Sequence, residues 1–178
     1  MRRIVLGVIL ALLASLVVGG VTSAAPPDSK NFVAVLSGDE EVPARDSRAR
    51  GVAIFHFDAA SSSISYRLIA SNIENVVASH IHVAPAGANG AVVAFLAGPF
   101  APGGGRTDGV LATGTITAAN LIGPLAGHPL SDLLAAMRAG NTYTNVHTND
   151  GVDGVNTGPG DFPGGEIRGQ IRANGPGD

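Results

Sequence analysis

The sequence predicts an all-β fold: a Greek-key β-sandwich or barrel of about eight strands, with a short helical insertion near residues 117–139. Three observations predict it. Short segments alternate apolar and polar residues, the period of a half-buried strand. Turn-forming clusters separate them, in a chain with 25 glycines and 11 prolines. Only one stretch changes to a helical pattern.

The strands follow in order. NFVAVLSG (residues 31–38) is a short apolar strand ending at Gly38. The acidic run Asp39, Glu40 and Glu41 then opens a polar, Pro-containing loop, whose ordinary role is solvation. GVAIFHFDAA places Ala53, Phe55 and Phe57 on one face and Val52, Ile54 and His56 on the other. With SISYRLIASNI it makes a predicted hairpin. SHIHVAP, AVVAFLAG and VLATGTIT are the next strands. In the helical piece, Ser131 or Asp132 is the expected N-cap and Gly140 the stop. TYTNVHT and GEIRGQIR close the domain, with the loop NDGVDGVNTGPGDFPGG between them.

The first 24 residues have a basic start (Arg2, Arg3), an apolar middle and a small-residue end, the pattern of a cleaved signal peptide. Residues 25–30 read as a short linker, 31–172 as one β domain and 173–178 as a flexible tail. The expected location is therefore secreted, periplasmic or cell-surface. An uncleaved first segment would be the route to a membrane. There is no cysteine, which removes disulfides, thiolate ligands and thiol nucleophiles from consideration. With a net charge of −3 and no basic cluster after the leader, no nucleic-acid partner is expected. The expected partner is extracellular or in the cell envelope, and the sequence does not name it.

Five histidines occur, two of them at positions 80 and 82. On a strand these share a face, opposite Ile81 and Val83, which should take the core. The same alternation puts Val146 inward and Tyr143, Asn145 and His147 outward. It puts Ile167 and Ile171 inward and Glu166, Arg168 and Gln170 outward. If these strands are neighbours, His80, His82 and His147 converge, and imidazoles suit copper or zinc. The other reading is that they are solvated or hydrogen-bonded on a wet face. Arg168, Asn145 and Glu166 are candidates for supporting the ion or attracting an anion. Glu166 and Arg168 are also expected to form an ion pair. His56 and His128 are not expected to be ligands. Asp150, Asp153 and Asp161 lie in the Gly-rich loop without the spacing of a known calcium loop. No nucleophile-elbow or phosphate-loop pattern is present.

The order LSGDEEVP, GVAIFHFD, ISYRLIASNI, SHIHVAPAGANGAVVAFL, TAANL, NVHT and GGEIRGQI resembles the CHRD domain, a family named for its occurrence in chordin and common in secreted bacterial proteins. The resemblance runs from about Asn31 to Arg172 and implies a β-rich extracellular domain, without implying a reaction. A fainter similarity is to the copper-zinc superoxide dismutases, Greek-key barrels with an H-x-H strand, a late V-H strand, a Gly-rich loop and an arginine near the last strand. His80, His82 and His147 match copper-ligand positions of that family, and Arg168 matches its anion-guiding arginine. The bridging histidine, the zinc-loop ligands and the disulfide are missing, so a dinuclear site is not implied. The sequence therefore favours a non-enzymatic binding module with one copper or zinc. A dismutase-like copper enzyme and a metal-free structural or adhesion domain are the alternatives.

Overall fold

A computed structural model describes residues 30–152 and 158–174 of the chain. The expected leader of residues 1–24, Asp153 and the last four residues lie outside the described part. The strands are β1 (Asn31–Ser37), β2 (Arg50–Asp58), β3 (Ser63–Glu74), β4 (Val76–Val83), β5 (Ala91–Ala97), β6 (Arg106–Ile116), β7 (Thr142–Thr148), β8 (Ile167–Gln170) and β9 (Arg172–Ala173). All pairings are antiparallel, in the order β5-β4-β7-β8-β1-β2-β3-β6, with β9 also on β1. The sheet curls into a nearly closed barrel in which β5 and β6 are the two end strands. Taking those ends as neighbours, β3 to β6 follow Greek-key order.

The predicted hairpin of β2 and β3 forms with unbroken register, from Arg50 opposite Ser71 to Asp58 opposite Ser63. Ala53 and Phe55 are buried and Phe57 packs against the core, while Ile54 and His56 are exposed. The interior is apolar: Phe32, Leu36, Phe55, Ile64, Leu68, Ile73, Ile81, Ile116 and Ile167 are fully buried. Each such side chain contributes about 1.5–3 kcal/mol of transfer free energy. Val83, expected in the core, is only half-buried and packs against its margin.

The helical insertion consists of two 3-10 turns, Ala118–Asn120 and Gly123–Leu125, and one α-helix, α1 (Leu130–Arg138). Leu130, Leu133, Leu134 and Met137 form its buried stripe, the spacing of one helix face. Neither Ser131 nor Asp132 is the N-cap: Pro129 is, so the helix begins two residues earlier than Ser131 would give and three earlier than Asp132 would. Proline has no N–H for a preceding turn, so the helix starts after it. Asp132, in the first turn, complements the helix dipole instead. Gly140, at φ +67°, follows the helix end as expected.

The expected tail is tied down where it begins. Ala173 pairs with Phe32, and the Asn174 N–H donates to the Asn31 carbonyl. Among the described residues no helix is long and apolar enough to cross a membrane.

Candidate metal centre

β4 lies beside β7, and β7 beside β8. Their register sets His80 opposite Asn145, His82 opposite Tyr143, Ala78 opposite His147, and Asn145 opposite Arg168. Because cross-strand partners project to the same side, one polar patch forms on the outer face of the barrel. The three histidines are thus brought together. One ring nitrogen from each lies within 4.8 Å of the others. Bonds of 2.0–2.1 Å at tetrahedral angles need nitrogens about 3.3–3.5 Å apart. A ring shift on the order of 1 Å would close the most distant pair.

The patch faces away from the core, as alternation predicts, but it is largely covered, with His147 half-buried. His80 is 9% exposed, His82 7%, Asn145 3%, Arg168 2% and Glu166 0%. Three segments roof it: the one after β1, the one between β4 and β5, and the one before β8. The physical reason is hydrogen bonding. Glu166 accepts from Ser47 Oγ (2.6 Å), Thr148 Oγ1 (2.7 Å) and the Gly160 N–H (2.9 Å), which clips two of these loops to the barrel. Asn89 Nδ2 donates to the Val42 carbonyl and joins the third.

The expected Glu166–Arg168 ion pair does not form, because both groups have other partners. Arg168 donates to Asn89 Oδ1 (3.1 Å) and to the Ala88 carbonyl (2.8 Å). Its guanidinium carbon lies 3.4 Å from the Tyr143 ring centroid. Tyr143 stacks in turn on His82, with centroids 4.6 Å apart and planes at 8°. Arg168 therefore buttresses His82 through Tyr143.

The hydrogen bonds fix the tautomers. A carbonyl oxygen only accepts, so His82 Nδ1–H donates to Gly90 O (2.9 Å) and His147 Nδ1–H donates to Pro163 O (2.8 Å). In neutral rings this leaves both Nε2 atoms as bare lone pairs. Burial holds all three imidazoles neutral. It pushes His80 down to about 4, with the neighbouring His147 and His82 adding to the effect. It lowers His82 and His147 as well, against the opposing effect of their carbonyl bonds. His80 Nδ1 lies 3.1 Å from His147 Nε2. Neutral imidazoles with one N–H pinned by a backbone carbonyl are how proteins commonly present a nitrogen to a metal. These three side chains could hold a transition-metal ion.

The remaining candidates separate from the cluster. His56 pairs with Asn31, and His128 with Asp132, both on the surface. Asp161 is buried at 3% exposure rather than in an open calcium loop.

Two participants were not anticipated. Glu41, from the supposedly solvated acidic run, is 7% exposed, and burial raises its carboxyl to about 7 despite the neighbouring Arg168 and Arg45. Gly90 supplies the carbonyl to His82 and donates its N–H to Tyr143 Oη. Only the alternation of Tyr143, Asn145 and His147 hinted that Tyr143 belonged to the cluster.

A nearly closed antiparallel barrel carrying a roofed histidine cluster on its outer face is the class of protein that fold and site define. The chain belongs to the CHRD domain family, whose model matches residues 32–171. No curated protein and no solved structure matches it.

Proposed function

We propose that this protein is an exported, non-enzymatic binding module of the CHRD family that carries one copper or zinc ion on His80, His82 and His147. The observation that carries the reading is the pair of pinned tautomers. The Gly90 and Pro163 carbonyls leave Nε2 of His82 and of His147 as lone pairs within the cluster, where His147 Nε2 lies 3.1 Å from His80 Nδ1 and both lie close to Asn145. Neutral imidazole nitrogens held in place by backbone carbonyls are what a transition-metal site needs. The reading stops at binding because Arg168 is buried and donates to Asn89 and the Ala88 carbonyl, so it offers no open cationic surface to an incoming anion. Export rests on the basic, apolar and small-residue pattern of residues 1–24. The partner is extracellular or in the cell envelope, with no nucleic acid and with membrane contact limited to an uncleaved leader.

The test is metal content. Tag-free protein is loaded with copper(II) or zinc(II), dialysed and analysed beside His80→Ala. One ion per chain in the unmutated protein, reduced at least tenfold in the variant, is the expected result. Equal retention by both proteins, or none by either, overturns the reading.

A further inference from the structure

The carboxamide of Asn145 sits inside the histidine cluster. Its Oδ1 is 3.0 Å from His82 Nε2 and 3.1 Å from His147 Nε2. His147 Nε2 is in turn 3.1 Å from His80 Nδ1. Those three separations are close to the edge of a tetrahedron built on metal bonds of 2.0–2.1 Å. No carboxylate or thiolate takes part.

The contacts are chemically odd for hydrogen bonds. Both Nδ1–H groups are already spent on backbone carbonyls. The two Nε2 lone pairs therefore face a carbonyl oxygen, with no proton between acceptors on either side. Buried acceptors in contact repel unless a donor or cation lies between them. A cation answers that need for all the atoms at once.

We infer that Asn145 Oδ1 is the fourth ligand of the metal proposed above, completing a closed three-nitrogen, one-oxygen set with His80, His82 and His147. The inference rests on that metal reading and sharpens it. A four-coordinate set supplied wholly by the protein has no open position for water or substrate, which is the signature of a structural rather than a catalytic ion. The ion joins β4 to β7 from outside the barrel. All four ligands are neutral, so its charge is not compensated by them. The set therefore suits imidazole-seeking ions such as zinc and copper over magnesium or calcium, which require hard anionic oxygens.

The test uses cobalt(II) as a spectroscopic stand-in for zinc, with sodium azide as an external ligand. The unmutated protein should show an intense visible cobalt band, as four-coordinate cobalt does, and azide should leave it unchanged. Asn145→Ala should bind zinc at least about tenfold more weakly. Its cobalt spectrum should shift on addition of azide, because a position has been opened. Asn145→Asp should restore an azide-insensitive spectrum. Cobalt bound by the unmutated protein but shifted by azide overturns the fourth-ligand assignment and leaves the three-histidine site standing. So does an Asn145→Ala spectrum identical to that of the unmutated protein. The opposite orientation of the amide, with its NH2 donating to both Nε2 atoms, predicts these two overturning results. Failure to bind cobalt, zinc or copper at all overturns the metal reading itself. If Asn145→Ala does not fold, the azide test on the unmutated protein and on Asn145→Asp decides.

Discussion

Glu41 has the environment most at odds with its sequence context. It closes an acidic run whose other members, Asp39 and Glu40, are exposed, yet it is itself buried. Its Oε1 finds no hydrogen-bond partner, and a side chain at Gly165 (φ +120°) would collide with it. Burial sets its folded-state pKa at about 7 against an ordinary 4.5. The unfolded chain therefore ionises first as pH rises. Stability contributed by this carboxyl is complete below 4.5 and is lost as pH climbs through 7. Glu41→Gln should remove that dependence. Between pH 5 and pH 8 the unmutated protein should lose stability relative to the variant, by at most about 3 kcal/mol. Urea midpoints at the two pH values measure it, and a difference unchanged between them would count against a buried, raised Glu41. His80 acts in the opposite sense. Its lowered pKa contributes stability above 6.5 that is lost as pH falls toward about 4. Using the variant as reference isolates the carboxyl from the imidazole. The sequence could not reveal Glu41, because a single burial inside a charged, Pro-containing loop leaves no periodic trace. His80, His82 and His147 were legible for the opposite reason: each sits in a strand whose alternation fixes its side of the sheet.

The elements that could be read were those with a period. Strands β1 to β8 and the stripe of α1 follow from apolar or alternating runs and helical spacing, although β6 begins at Arg106, ahead of VLATGTIT, in a Gly-rich stretch that reads as loop. β9 does not, since two residues carry no pattern. The roof over the site is the larger omission. It is built from loops whose glycines and polar residues look solvated in sequence, and only three-dimensional contacts such as Ser47 to Glu166 show that they cover the site. The β4–β5 loop illustrates how closely such a roof can be specified. At Gly90 an added Cβ would collide with the Val83 carbonyl, while the residue's own carbonyl orients His82. Gly90→Ala should therefore push the loop outward and release the His82 tautomer without removing any ligand. A loss of zinc affinity of about tenfold or more is expected, with unfolding little changed. Zinc titration against a competing chelator measures it. Unaltered affinity would mean that the Gly90 carbonyl does not position His82.

Across the whole molecule, β5 and β6 face each other without a hydrogen-bonded ladder. One side chain crosses the seam: Tyr66, on β3, donates its hydroxyl to the Leu96 carbonyl of β5 at 2.7 Å. Gly114 of β6 leaves the room, since a Cβ there would meet the Tyr66 ring within 3 Å. Tyr66→Phe should cost about 1 kcal/mol. It should also raise amide hydrogen exchange in β5 more than in β2. Uniform exchange across the two strands would show that Tyr66 does not hold the seam.

The clip made by Glu166 reaches further than the loops it ties. Its bond to Ser47 joins residues 119 apart in sequence, and the His80–His147 contact spans 67. Contacts of such separation form only after a slow search through chain conformations. Local hairpins such as β2–β3 can zip early, whereas the histidine cluster exists only once β4 and β7 have paired across the strands and helix between them. The proposed metal site thus belongs to the later stages of folding, and a newly made chain begins its assembly with those imidazoles scattered.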